Sequence, residues 1–189
     1  MTDFTVHTIE TAPPGARPLL ESTKRAWGFV PSLHGVLAES PATLEAYDVL
    51  FALAEKTALP PPERQLVYLA VSVFHGCEYC VAGHTHLAGA AGLDATAIAA
   101  LRAGAPIPDP KLQALRAFAE AVVRERGHAG TALERLLASG YSRAEALDVL
   151  LIVATKTISN YANHLARTPK ESFMADPAVA WTAPGRATA

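Results

Sequence analysis

The chain contains two cysteines, and they fall as Cys77-Glu78-Tyr79-Cys80 with His84 four residues further on. On a helix that advances about 100° per residue, Cys80 lies at about 300° and His84 at about 340° from Cys77, so the three share one face. Thiols on neighbouring turns fall within the roughly 7 Å between Cα atoms that a disulfide can span. The thiolate is the nucleophile, and a helix N-terminus favours it. Gly76 precedes the first turn, which marks Cys77 as the better-placed thiolate on this argument alone. His84 can accept a proton from Cys80 or stabilise its anion. The second thiol can then close a disulfide on whatever the first one forms.

Other readings of these residues stay open. Cys77, Cys80 and His84 with His75 or His86 would make four zinc ligands, although structural zinc pairs usually sit on a turn and the chain has no second C-x-x-C. The cysteines would then brace a structural module. Two cysteines buried by chance are the plainest alternative. A thioredoxin-like site needs a βαβ pattern, and none surrounds the motif. His164 reads as a hydrogen-bonded histidine packing two halves together. Tyr68, Phe74, Tyr79 and Tyr161 read as core or interface residues.

The elements that must position the pair are helical. Alternating β-branched runs are scarce, and most windows carry apolar residues at helical spacing. Residues 1–15 read as an irregular arm ending in Pro13-Pro14-Gly15. Helices are expected over about 17–27, from Val30-Pro31 to near Glu39, and from Ser40-Pro41 to about Lys56. Leu66, Leu69, Ala70 and Val73 form a core stripe on a helix of about 61–75, which His75-Gly76 interrupts before the C-x-x-C helix of about 77–91. Asp94 caps a helix of about 95–103, and Asp109-Pro110 opens one reaching about Arg126. A shorter helix covers about 130–138. Ser142 and Glu145 form a capping box that opens a long helix to about Arg167. This makes one all-α domain over 16–170, with a C-x-x-C half at about 40–105 and a second half at about 109–168. Residues 171–189 read as a loosely held or arm-like tail.

A shift of 82 residues aligns Glu63 with Glu145, Val67 with Val149, Leu69 with Leu151 and Tyr79 with Tyr161, a shared helical pattern more than a sequence match. Cys77, Cys80 and His84 then correspond to Ser159, Ala162 and Ala166, so the second copy reads as a scaffold without the chemistry.

Composition excludes several classes. Hydrophobic residues make up 50% and charged residues 18% of the 189, as in a folded globular chain. The formal net charge of -2 comes from mixed charges with no basic block, which argues against nucleic acid. No apolar run approaches the roughly 18 residues that cross a bilayer. Met1 to Glu10 lacks the apolar stretch of a signal peptide, so the expected compartment is the cytoplasm. In a reducing compartment, a C-x-x-C is more often catalytic, redox-active or metal-binding than a staple.

Pro61-Pro62-Glu63-Arg64-Gln65-Leu66-Val67-Tyr68-Leu69-Ala70-Val71-Ser72 and then Gly76-Cys77-Glu78-Tyr79-Cys80-Val81-Ala82-Gly83-His84 resemble the core of the alkylhydroperoxidase D-like branch of the carboxymuconolactone decarboxylase family. Lys156 to Ala166 resembles the second half of longer members. The resemblance implies an all-α bundle with a duplicated helical core, assembled as trimers or hexamers. It implies a thiol peroxidase without flavin, haem or metal, taking a hydroperoxide as substrate and a dithiol protein or small thiol as reductant. Cys80 would attack the peroxide, Cys77 would resolve it and His84 would relay protons, the reverse of the order the helix-end argument favours. The family's relay glutamate, twelve residues before the first cysteine, is Gln65 here, which hydrogen-bonds but takes no proton at neutral pH. Glu63 lies about 200° round the helix from it. The histidine that other members carry between the cysteines is Tyr79. His84 alone, or a water held by Gln65, would have to activate the thiol. A dithiol-exchange or sensor module with little peroxidase activity is the alternative from a different class. The family's lactone decarboxylation ranks below both, because that branch does not rely on a C-x-x-C.

Overall fold

The computed structural model describes residues 4–185, and residues 1–3 of the arm and 186–189 of the tail lie outside the described residues. The described residues form nine α-helices and one 3-10 turn, with no strand among them. The helices are α1 (Arg17–Trp27), α2 (Ser32–Leu37), α3 (Pro41–Ala54), α4 (Pro61–Phe74), α5 (Glu78–Ala90), α6 (Ala95–Ala103), α7 (Pro110–Arg124), α8 (Gly130–Ala138) and α9 (Arg143–Ala166). The boundaries follow local chemistry. Pro41, Pro61 and Pro110 sit in first turns, where the missing N–H costs nothing. The Asp94 and Asp109 carboxylates accept from backbone N–H groups of α6 and α7. Ser142 and Glu145 make the reciprocal capping box of α9.

α4 is the central helix. Every residue from Arg64 to Ser72 is buried, so it is wrapped on all sides rather than along one stripe. It packs against α5, α6, α7 and α9. Its Leu66, Val67 and Leu69 share the main core with Leu101, Leu115, Phe118, Leu136, Val149 and Ile152. A second, smaller core joins Leu20, Leu33, Leu44, Tyr47 and Met174, and both cysteines belong to it. The site therefore sits where helices from the N-terminal third close over the central α4–α5 pair.

The two halves that a shift of 82 residues aligns differ in path. The first breaks after Phe74 and turns through Gly76 at φ 66° before α5 begins. α9 runs unbroken through the corresponding Ile158, a β-branched residue that does not adopt left-handed backbone readily.

The tail is held more firmly than its composition implies. Met174, Val179 and Ala183 are buried. The Arg102 guanidinium donates to the carbonyls of Ala178 and Ala180 at 2.6 Å, and Trp181 Nε1 donates to the Arg102 carbonyl at 2.9 Å.

Candidate functional site

The turn from α4 into α5 aims the cysteines. Cys77 N donates to Ser72 O at 3.0 Å, closing the turn around Gly76. Cys77 becomes the N-cap of α5, with φ -84° and ψ 94°, rather than a residue of its first turn. Cys80 takes the first-turn place, close to the unpaired N–H groups of the helix end. Both are free thiols, 1% and 4% exposed.

Their charges divide opposite to the helix-end expectation. Burial pushes the Cys80 thiol up, but a hydrogen bond from Cys77, the Lys156 ammonium, and the Asn163 and Asn160 amides together bring it well below the usual thiol range. Cys77 is pushed up, first by donating its proton to Cys80, then by burial and by the Cys80 charge. Asn163 Nδ2 donates to Cys80 Sγ at 3.1 Å and lies 3.7 Å from Cys77 Sγ. These influences favour the anion at Cys80 and the proton at Cys77.

His84 is set by three neighbours. Its Nδ1 donates to Gln65 Oε1 at 2.9 Å, and its ring stacks on Tyr68 at 4.7 Å with 8° between planes. Burial, then the Lys156 charge, holds its pKa well below that of free imidazole, so it is neutral at physiological pH. With Nδ1 carrying the proton, Nε2 keeps its lone pair. Gln65 thus does for the imidazole what a relay glutamate does in orientation, without supplying a charge. Glu63 points elsewhere, toward Lys111 Nζ at 3.6 Å.

Cys80, His84 and Lys156 line a cavity of about 410 Å³, whose walls include the aromatic residues Trp27, Phe29, Tyr47, Phe51, Tyr79 and Phe173. Cys77 does not line it and sits behind Cys80. Tyr79, expected as a core residue, is buried and also anchors the tail. Its hydroxyl donates to Glu171 Oε1 at 2.9 Å, and the same oxygen accepts from Ser32 N at 2.6 Å. Glu78 takes Lys170 Nζ at 2.7 Å and Ala183 N at 3.1 Å. The tail therefore crosses α5 on the two residues between the cysteines and brings Phe173 and Met174 to the cavity. His75 and His86 do not complete a cluster with the cysteines. Among the described residues, no group of three or more His, Cys, Asp or Glu side chains is placed to hold a metal ion.

Sequence reasoning missed Lys156, Asn160 and Asn163. A signal was present: Val149, Ile152, Val153, Lys156, Asn160 and Asn163 follow one another at helical spacing, and all six are buried. A lysine and two asparagines on the core stripe of an apolar helix need partners, and the Asn163 amide finds one in the Cys80 sulfur at 3.1 Å.

Comparisons place the chain among known proteins. The model of the carboxymuconolactone decarboxylase family matches residues 41–122. No curated protein matches the chain significantly. Among solved structures, the alkylhydroperoxidase AhpD core of an uncharacterized peroxidase-related protein from Ralstonia eutropha JMP134 superposes with a TM-score of 0.78 at 21% identity, over 92% of this chain and 97% of that one. The debrominase Bmp8, in complex with 2,3,4-tribromopyrrole, gives 0.75 at 20% identity, over 92% and 94%. A peroxidase-related protein from Silicibacter sp. TM1040 gives 0.73 at 18%, over 90% and 94%. At these identities the likeness establishes the all-α fold, which proteins of more than one activity share.

Proposed function

We propose that this protein, whose residues 41–122 match the model of the carboxymuconolactone decarboxylase family, is a thiol-dependent peroxidase that reduces organic hydroperoxides through a Cys77–Cys80 disulfide cycle. One observation carries the reading: the sulfur favoured as thiolate, Cys80, is the one that lines the cavity, and a protonated thiol waits behind it. The Cys80 thiolate attacks the terminal oxygen of the hydroperoxide. An S–O bond forms, the O–O bond breaks, sulfur is oxidised to the sulfenic acid, and the alkoxide leaves with one proton from the site. Cys77 sulfur then displaces hydroxide from Cys80, water departs and the disulfide remains. A dithiol protein or small thiol restores both thiols by exchange. The aromatic walls favour a bulky apolar hydroperoxide over hydrogen peroxide. Self-association is part of this reading, supported by exposed Leu147, Leu150 and Leu165 on α9 and Val49 and Leu53 on α3.

A thiol count tests it. Reduced protein, freed of reductant, is titrated before and after one equivalent of cumene hydroperoxide. Loss of two thiols per chain within seconds, with the peroxide consumed, is expected. Thiols that persist for many minutes refute the peroxidase and leave the exchange or sensor reading.

The aromatic cavity also favours a second reading, since the same fold holds a brominated pyrrole in Bmp8. The Cys80 thiolate would attack a ring bromine, the ring carbon would take a proton, and Cys77 would displace bromide. Bromide release from 2,3,4-tribromopyrrole with loss of two thiols, and no reaction with peroxide, would favour it.

A further inference from the structure

Peroxide reduction leaves an alkoxide that must be protonated inside a cavity of mixed apolar and titratable lining. His84 is poorly suited to do so. Its Nδ1 proton is committed to Gln65, and Nε2 offers a lone pair rather than a proton. Glu171, the carboxylate of the cavity, already accepts from Tyr79 and Ser32. Cys77 must keep its proton until it attacks. Lys156 remains. It is 1% exposed, lines the cavity beside Cys80 and His84, and forms no ion pair with a carboxylate among the described residues. Its ammonium lies 6.0 Å from the centre of the Tyr68 ring, and its charge is felt by Cys80, His84 and His75. Of these groups, Cys80 is the one whose anion that charge favours.

We propose that Lys156 is the proton donor to the leaving oxygen, and that it alternates between ammonium and amine as the cysteine pair alternates between thiolate and disulfide. This rests on the peroxidase reading of the same cavity. Attack on the peroxide consumes the thiolate, and a buried ammonium whose counter-anion has gone has lost what kept its charge in an apolar site. Its proton passes to the alkoxide, giving alcohol and a neutral amine. The amine then takes the Cys77 proton as Cys77 sulfur attacks Cys80, and hands it to the departing hydroxide to make water. The disulfide form therefore holds a neutral Lys156, and no proton is drawn from solution across the oxidative half-cycle. Reduction by two thiols returns one proton to Lys156 and one to Cys77 as the Cys80 thiolate is regenerated.

The test counts protons. Fully reduced protein, shown to hold one thiolate by its ultraviolet absorbance at neutral pH, is mixed in weak buffer with one equivalent of cumene hydroperoxide and a pH indicator. Two thiols lost with no net proton uptake is expected. Two thiols lost with one proton taken up per chain overturns the proposal, because Lys156 has then kept its charge and solvent has supplied the proton. Absence of thiolate in the reduced protein overturns it too. Failure to lose thiols at all strikes the peroxidase reading instead. Lys156→Arg separates charge from proton transfer, since guanidinium stays protonated. The thiolate should survive while peroxide reduction slows about 100-fold, and a wild-type rate in this variant overturns the proposal. The wild-type proton count stands by itself should the larger guanidinium not be accommodated.

Discussion

α5 and α9 both run past the sulfurs, and they bring different things. α5 contributes both thiols and the imidazole, packed into a C-x-x-C-x-x-x-H that any reader of sequence will notice. α9 contributes no nucleophile. Its Lys156, Asn160 and Asn163 add to the Cys77 hydrogen bond in holding the Cys80 thiol down. The difference shows that a reactive pair and its electrostatics are separate features, here 83 residues apart where Asn163 meets Cys80. The helix-end argument assigned the thiolate from α5 alone and chose Cys77. In the structure Cys77 caps α5, Cys80 takes its first turn and accepts from Cys77, and the α9 groups add to that preference.

The sharpest way to break this division is to remove the nucleophile. Cys80→Ser should lower peroxide consumption by about three orders of magnitude or more, whereas Cys77→Ser should leave one turnover and a trappable sulfenic acid; stopped-flow peroxide loss and dimedone labelling distinguish them. The next largest effect belongs to α9. Lys156→Met should move the Cys80 titration up toward the ordinary thiol value of about 8.5 and slow alkylation by iodoacetamide at neutral pH by about tenfold or more. The same change flattens a stability profile. A thiol whose folded pKa is depressed stabilises the fold above its unfolded pKa, and that contribution is lost as pH falls through the folded value. Wild type should therefore lose stability as pH falls from about 8.5 toward the Cys80 titration, and Lys156→Met should lose less, as denaturant midpoints across pH will read.

Gln65→Glu tests the α4 contribution. A carboxylate against Nδ1 should raise the His84 pKa by about 1–3 units, visible by NMR titration of the imidazole; an unmoved resonance would mean that Gln65 does not hold the ring in solution. Asn163→Ala removes an amide from the thiolate and should raise the Cys80 titration by about one unit, the equivalent of about 1.4 kcal/mol. The smallest expected effect concerns the turn that α9 lacks. Gly76→Ala forces a Cβ into φ 66° and should cost about 1–2 kcal/mol by thermal unfolding.

Much of the fold was legible. The proline-led starts at Pro41, Pro61 and Pro110, the caps at Asp94 and Asp109 and the Ser142–Glu145 box are local signals, and the helices begin where those residues stand. Ends were less legible, because fraying residues obey tertiary packing. α7 stops at Arg124 rather than Arg126, where the chain turns left-handed at φ 54°. Cys77, Cys80, His84 and Gln65 were legible as candidates, and the structure brings them into one cluster. Lys156 was not, because the repeat made α9 look like a spare copy of the first half. Its role is fixed by packing across 76 residues of chain, which no local pattern encodes. Which of the two readings of the tail holds, loose or arm-like, was illegible for the same reason. Its prolines and small residues read as loose, but Arg102 and Trp181 hold it against α6.

The anchoring of that tail has an evolutionary consequence. Here Glu78 is tied to Lys170 and Ala183, and Tyr79 to Glu171, across 92 to 105 residues of chain. Selection should treat Glu78, Tyr79, Lys170 and Glu171 as one inherited unit. Among descendants of this sequence, a change of charge at 78 should travel with its complement at 170, and loss of the hydroxyl at 79 with loss of the acid at 171. Pairs that vary independently across an alignment would show the strap to be a private feature of this chain.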